Sequence, residues 1–300
     1  MADKPGPVAV PAKAPAKLRT VRPDFATIGG LVVALGGLLG GLVMDGGRVT
    51  DLAQLTAALI VLGGTIGAVM MTNPLSVLIR AAANLKYVFM EEMVDPSAGI
   101  EEIIGYATKA RKNSIMSLED DLDKIQDPFL QKALSLAVDG TDLQEIKSMM
   151  ELEIMQSEKH NEAVAKVFEA AGGYSPTIGI IGAVMGLIQV MKHLENIDEV
   201  GRGIAGAFVA TIYGVAVANL FFLPAANKLK GRIHRDIQAK ELLLEGVGSI
   251  VEGLNPKLIR LKLDAFVQSE SKKGSGKDGK KAAAKADASK SDATPQAAAK

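Results

Sequence analysis

Three histidines, His160, His193 and His234, are the first candidates for metal or proton chemistry, but they are scattered through the 300 residues with no metal-ligand spacing. The chain has no cysteine, which excludes disulfides, thiol catalysis and cysteine metal sites. No paired-glycine phosphate loop and no Ser-His-Asp pattern stands above chance, so neither an enzyme active site nor a cofactor or metal is expected. The remaining candidates act on backbone geometry and on depth in a membrane. Pro176 and Pro224 each remove a helix hydrogen bond and can bend or end a helix. Their polar neighbours Ser175, Thr177 and Asn219 can satisfy freed backbone groups. Thr211 is one of few hydroxyls in its surroundings, and a back-bond to the carbonyl four residues earlier is the plain account of it.

The elements that carry these residues follow from the charge pattern. Formal net charge is zero, so there is no electrostatic case for nucleic acid. Four runs, 25–44, 52–79, 170–191 and 203–227, contain no Asp, Glu, Lys or Arg. Each reaches the roughly 20 residues that a helix needs to cross a bilayer core. The first follows a basic start, Lys17, Arg19 and Arg22, but it is longer than a signal-peptide core and is expected to be a retained span. The fold class is therefore all-α: a polytopic inner-membrane protein with four transmembrane helices and a helical cytoplasmic domain. Residues 1–23 are expected to be a disordered tail, 24–79 a membrane hairpin, 80–169 a polar helical domain, 170–227 a second hairpin, 228–268 further soluble helices, and 269–300 a Lys/Ala-rich tail. Asp45-Gly46-Gly47 is a turn signal. Asp127-Pro128 predicts an N-cap with proline at the first helical position, and Thr141-Asp142 a helix start after Gly140.

Lys and Arg crowd one side of the spans, at Lys17, Arg19, Arg22, Arg80, Lys86, Lys159, Lys166, Lys228, Lys230, Arg232 and Arg235. That asymmetry puts both termini and the 80–169 region in the cytoplasm. Pro176 and Pro224 then lie near the cytoplasmic face on adjacent helices, as two hinges. Ala183 is nine residues before Lys192, and Thr211 nine after Arg202, so both sit some 13 Å from the outer ends of their spans. Helices in lipid associate through small residues. Gly36 and Gly40, Gly37 and Gly41, Gly63 and Gly67, and Gly182 and Gly186 stand four apart, and Gly206, Ala210, Gly214 and Ala218 form a stripe on the last span. No carboxylate, Lys, Arg or His lies inside any span. Ion pathways and proton relays normally need an ionisable group in the membrane, so an ion-conducting role requires another chain to supply it.

The stretches "GGYSPTIGIIGAVMGLIQVM" and "GRGIAGAFVATIYGVAVANLFFLPAANKLK" closely resemble spans 3 and 4 of the flagellar motor stator A subunit, the MotA/PomA family. "FATIGGLVVALGG", the "GGT" of span 2, "ATKARKNSIMSLEDDL" and "EGVGSIVEGLNPKLIRLKLDAF" resemble the same family, and the likeness covers roughly residues 24–268. The resemblance implies a pentamer of A subunits around the single spans of two B subunits. The B helix carries the ion-binding aspartate, in agreement with its absence here. Ion passage turns the A ring, and the cytoplasmic domain pushes the rotor's switch protein. Pro176 and Pro224 match the family prolines that couple ion passage to shape change, with Thr177 beside the first. Arg111 and Glu119 match the charged pair that meets the rotor. Sodium-driven relatives carry a threonine at the position of Ala183, and the span 4 threonine matches Thr211, so the resemblance implies protons rather than sodium as the transported ion. Two alternatives are weighed against this. ExbB/TolQ-type energy-transducing subunits have three spans with the polar domain after the first, whereas here two closely spaced spans precede it. A passive scaffold or a transporter subunit is the other, and a transporter should hold polar substrate-binding groups that these spans lack.

Overall fold

The computed structural model describes residues 19–94, 96–192 and 194–267. The expected tails over 1–18 and 269–300, and His193, lie outside the described residues. The described residues divide into two compact units, one built from 19–93 and 155–237, the other from 94–154 and 238–267. Two long helices run through both.

In the first unit a two-stranded sheet pairs β1 (Arg19–Pro23) with β2 (Met90–Val94). Five residues expected in a disordered tail therefore form a strand: the segment 90–94 offers it a backbone edge. α1 (Phe25–Met44) starts at Asp24, whose carboxylate accepts from the backbone N–H of Ala26 (2.9 Å) and Thr27 (3.1 Å), satisfying helix donors that would otherwise lack partners. The expected turn follows, with Gly46 at φ +83°, a conformation glycine adopts without steric cost. α2 (Val49–Leu52) is one turn held by Asp51, which accepts from the N–H of Arg48 (3.0 Å). α3 (Leu55–Thr72) contains a π-turn at Leu59–Gly63.

The second charge-free run is not one helix. It breaks at Ala53-Gln54 and again at Asn73-Pro74, where α4 (Leu75–Asn84) begins. Proline forces the residue before it out of helical geometry, and Asn73 is extended at φ −133°, ψ 141°. The Asn73 side-chain amide donates to Val69 O (3.0 Å), which covers one of the carbonyls exposed at the helix end.

In the second unit, α5 (Pro96–Asn113), α6 (Glu119–Leu122) and α7 (Pro128–Val138) join the first part of α8 (Leu143–Lys192), the last part of α9 (Ile197–Val251) and α10 over 256–267. Ile103, Leu118, Leu130, Leu134, Ile146, Met150, Ile259 and Leu263 are fully buried, each contributing about 1.5–3 kcal/mol through burial. Asp127 caps α7 by accepting from Phe129 N (2.9 Å) and Leu130 N (3.2 Å), with Pro128 in the first turn, as its sequence predicts. Asp142 opens α8 by accepting from Gln144 N (3.0 Å). Arg260 and Glu101 form a two-pronged ion pair at 2.7 Å, tying α10 to α5.

Among the described residues four helices are long and apolar enough to cross a membrane: Phe25–Met44, Leu55–Thr72, and segments of Leu143–Lys192 and Ile197–Val251. The last two are not bounded spans, because their helices continue without interruption into charged sequence. The α-helix tolerates charge on its surface as readily as lipid-facing side chains, so nothing in the backbone marks the limit of the apolar part.

Candidate functional site

The third and fourth spans meet along a seam of small residues. A Cβ at Gly214 would stand 2.6 Å from Ser175 O and 3.0 Å from Gly179 Cα. One at Gly182 would stand 2.9 Å from the Cβ of Ala210, and one at Gly186 3.0 Å from the Cβ of Ala207. Backbones therefore touch, as small residues permit in the absence of a hydrophobic drive. Ser175 locks the seam: it is fully buried, and its hydroxyl donates to Gly214 O at 3.0 Å.

Gly182, Gly186, Ala210 and Gly214 thus lie in the seam, with Ala207 and Gly203 as further members. Gly206 does not. Its neighbour is the side-chain oxygen of Gln54, 3.0 Å from an ideal Cβ, because a step of four residues drifts around a helix of 3.6 per turn. In α3 the glycine turned toward the third span is Gly64, where an added Cβ would stand 2.8 Å from the Ile178 side chain, and not Gly63 or Gly67; Ile60 of the same helix meets Gly182. Gly36, Gly37, Gly40 and Gly41 in α1 have no atom of the described chain within 4 Å of an added Cβ.

Neither proline ends its helix. Pro176 lies inside α8. Pro224 follows a π-turn at Ala218–Phe222, in which Leu223 N–H reaches back five residues to Ala218 O. The wider turn gives room where the proline ring would meet the carbonyl four residues earlier. Gly172 packs against Leu223, and on these antiparallel helices Pro176 lies four residues one way and Pro224 one residue the other, so the two prolines are offset by about 7.5 Å along the seam and not at one depth. The polar neighbours bond elsewhere than to the carbonyls the prolines free: Thr177 donates to Tyr174 O (2.8 Å), Asn219 to Val215 O (2.9 Å), and Ser175 across to the other helix.

Ala183 follows Gly182 and Thr211 follows Ala210, so the Gly182–Ala210 contact puts the two at one level. Both are half-buried. Thr211 Oγ1 lies 3.5 Å from Ala207 O, the long back-bond anticipated for a helical threonine.

Two features of this unit escape the sequence. The Tyr213 hydroxyl donates to Leu52 O, stitching the fourth span to the break before α3. Asp24 is 6 % exposed and pairs with Lys228, whose ammonium also reaches the Thr27 hydroxyl. Asp24 before an apolar run is readable as a cap; its distant partner is not.

In the other unit Arg111 lies in the last turn of α5 and Glu119 opens α6, both exposed. The turn between them passes through Ser114 at φ +72°, ψ 158°, a region occupied almost only by glycine. Leu118, 1 % exposed, pins the turn to the core. Asp121 clamps it from below, accepting from Lys109 (2.5 Å) and Lys124 (2.8 Å), and these ammonium groups hold its carboxyl below the usual range.

The sequence pattern of the MotA/TolQ/ExbB proton channel family matches residues 121–242, and that of the motility protein A N-terminal region matches 28–111. The chain is 36 % identical to Motility protein A of Bacillus subtilis over 80 % of its own length and 89 % of that protein's. It is 30 % identical to Chemotaxis protein PomA of Vibrio alginolyticus, over 79 % of this chain and 92 % of that one. Among solved structures it matches a chain of C. jejuni MotAB with a TM-score of 0.77 at 32 % identity, over 81 % of this chain and 95 % of that one. A chain of the flagellar MotAB stator complex from Bacillus subtilis matches with a TM-score of 0.75 at 34 % identity, over 80 % and 95 %. Four apolar helices, a glycine seam between the last two and this breadth of likeness lead to one conclusion: the chain belongs to the motility protein A family.

Proposed function

We propose that this chain is the ion-channel subunit of a bacterial flagellar stator, which works with a B subunit to turn proton influx into torque on the rotor. The observation that carries the reading is the pairing of a tight seam between the third and fourth spans with the absence of Asp, Glu, Lys, Arg and His from all four charge-free runs. Such a chain can shape a pathway but cannot relay a proton by itself. The similarity to chains of MotAB stator complexes supplies the complementary half, a partner in those assemblies.

In this reading several copies of the chain, five by the family resemblance, surround B-subunit helices in the inner membrane, with both termini in the cytoplasm. The B subunit contributes a membrane carboxylate. Ala183 and Thr211, level with each other and half-open, face that carboxylate's route. One hydroxyl instead of two favours the proton, because a partly dehydrated sodium ion wants several oxygen ligands. Pro176 and Pro224 bend as the charge on the carboxylate changes. Arg111 and Glu119 engage charges of the rotor's switch protein.

Co-expression in a host lacking its own stator tests this. Proton flux and rotation are expected only with both subunits, and speed should follow proton-motive force whatever the external sodium. Flux from this chain alone, or a strict sodium requirement, refutes the corresponding part. Ala183→Thr should leave assembly intact.

A further inference from the structure

We propose that Asp24 and Lys228 form the fixed pivot about which the Pro224 end of the fourth span bends, and that a cleft beside Pro224 is the space the bend uses. This rests on the stator reading above and adds to it a pair of positioning residues and a required void.

Three observations, all within one compact unit, converge. The first is the pair itself. Asp24 is nearly fully buried and every side of its carboxylate is engaged: Oδ1 accepts from Ala26 N and Thr27 N, while Oδ2 accepts from the Thr27 hydroxyl (2.7 Å) and meets Lys228. Its own N–H donates to Phe89 O at 3.0 Å. One residue thus joins the start of α1, the segment after α4, and α9. Asp24 is the buried partner, while the Lys228 side chain keeps 22 % of its surface exposed, and removing Lys228 would strand the buried carboxylate without its counter-ion.

The second is position. Lys228 lies four residues, one helical turn, beyond Pro224. The helix is therefore held immediately past its weak point. The third is space. A cleft of about 290 Å³ opens between α1 and α9, lined by Gly30, Ala34, Phe89, Asn219, Phe221 and Pro224 among others, with Thr27 and Lys228 also on its wall. The π-turn Ala218–Phe222 borders it. A π-turn and a proline in succession weaken the helix here, and across the open cleft α1 stands off from it. Below the weak point the helix is clamped to α1; above it there is room to move toward α1.

The test uses the full chain with its B subunit in a stator-less host. Gly30→Leu and Ala34→Leu add bulk to the α1 wall of the cleft, and a Cβ at Gly30 meets no atom within 4 Å. Gly40→Leu adds the same bulk to α1 where the chain makes no contact. Asp24→Asn keeps a cap acceptor but removes the charge, and Lys228→Met keeps the stem. Membrane level, B-subunit co-purification, melting temperature in detergent and tethered-cell torque are read for each. Filling a void ordinarily stabilises or is neutral, so a structural role alone predicts no loss. The pivot predicts that both cleft-filled variants lose most of their torque at unchanged membrane level and melting temperature, while Gly40→Leu does not. It further predicts that Asp24→Asn and Lys228→Met each lower torque, and that the double variant is no worse than either. Full torque in the cleft-filled variants of a working protein overturns the pivot alone, as does a torque loss that merely tracks membrane level. A wild-type pair that turns no motor overturns the functional reading and the pivot with it.

Discussion

Gly214→Ala tests the seam between the third and fourth spans at its tightest point. The new methyl carbon would stand 2.6 Å from Ser175 O, 3.0 Å from Gly179 Cα and 3.3 Å from Gly179 N. Carbon-to-oxygen contacts settle near 3.3–3.6 Å, so the helices must part by about 0.7–1 Å. All three obstacles are backbone atoms, and no side chain can swing aside. Forcing a methyl group into a packed core costs about 1–3 kcal/mol. Parting the helices also stretches the Ser175–Gly214 hydrogen bond, worth about 0.6 kcal/mol within a membrane. Against this, alanine gains about 0.8–1.0 kcal/mol of helix preference over glycine. The net expectation is a loss of about 1–3 kcal/mol; even one or two shifts the folded-to-unfolded ratio by a factor of roughly 5–30. Gly40→Ala is the control, since it meets no atom within 4 Å and keeps only the helix gain. Titration of the purified protein from mild detergent into SDS, followed by circular dichroism, reads the difference. If Gly214→Ala unfolds at the same SDS fraction as Gly40→Ala or later, the backbone contact described here does not hold the spans together.

Other outcomes follow from single contacts. Ser114→Gly should stabilise the chain by about 1–3 kcal/mol by relieving a left-handed residue, read by hydrogen exchange across 107–118; unchanged exchange refutes the strain. Asp121 has its carboxyl lowered by Lys109 and Lys124, so its contribution is fully present above its unfolded value near pH 3.9 and lost as pH falls through the lower folded value. The loss is about 0–1 kcal/mol because the cluster is partly exposed, and Asp121→Asn should abolish that part of the acid sensitivity in a pH titration of protease resistance. Pro224→Ala should leave membrane insertion intact and impair torque; normal swimming would refute the hinge. Arg111→Glu should weaken rotor engagement more than ion flux, measured as stator dwell time at the motor against proton uptake; equal loss of both would point to misfolding.

The four apolar helices are legible because charge is excluded from each, and exclusion from lipid is a property of composition that needs no three-dimensional information. Asp127-Pro128 and the Gly46 turn are legible for a similar reason: a cap and a left-handed turn are local. What lies beyond local geometry is not. Glycines at a spacing of four locate a close approach without saying which one faces it, and so Gly64 replaces Gly63 and Gly67 while Gly206 turns to Gln54. Asn73-Pro74 is a legible breaker, yet the absence of charge on either side of it hides the break inside a single long run. The strand at Arg19–Pro23 depends on an edge supplied by residues far along the chain, as does the Asp24–Lys228 pair.

The π-turn in the fourth span has a bearing on how the sequence of this helix is to be aligned with others. A π-turn takes in one residue beyond the α-helical complement, which rotates every later side chain by about 100° relative to an uninterrupted helix. Gly203, Ala207, Ala210 and Gly214 precede it, and Ala225, Ala226 and Leu229 follow it. A helical wheel drawn through both sets mixes two phases, like a spiral stair with one tread too many, whose upper landings no longer open on the same wall as the lower ones. Because the wide turn absorbs the extra residue, deleting one residue from Ala218–Phe222 would make the helix regular while keeping Lys228 turned toward Asp24, so a gap placed there in an alignment marks the loss of the π-turn and not a trimmed loop.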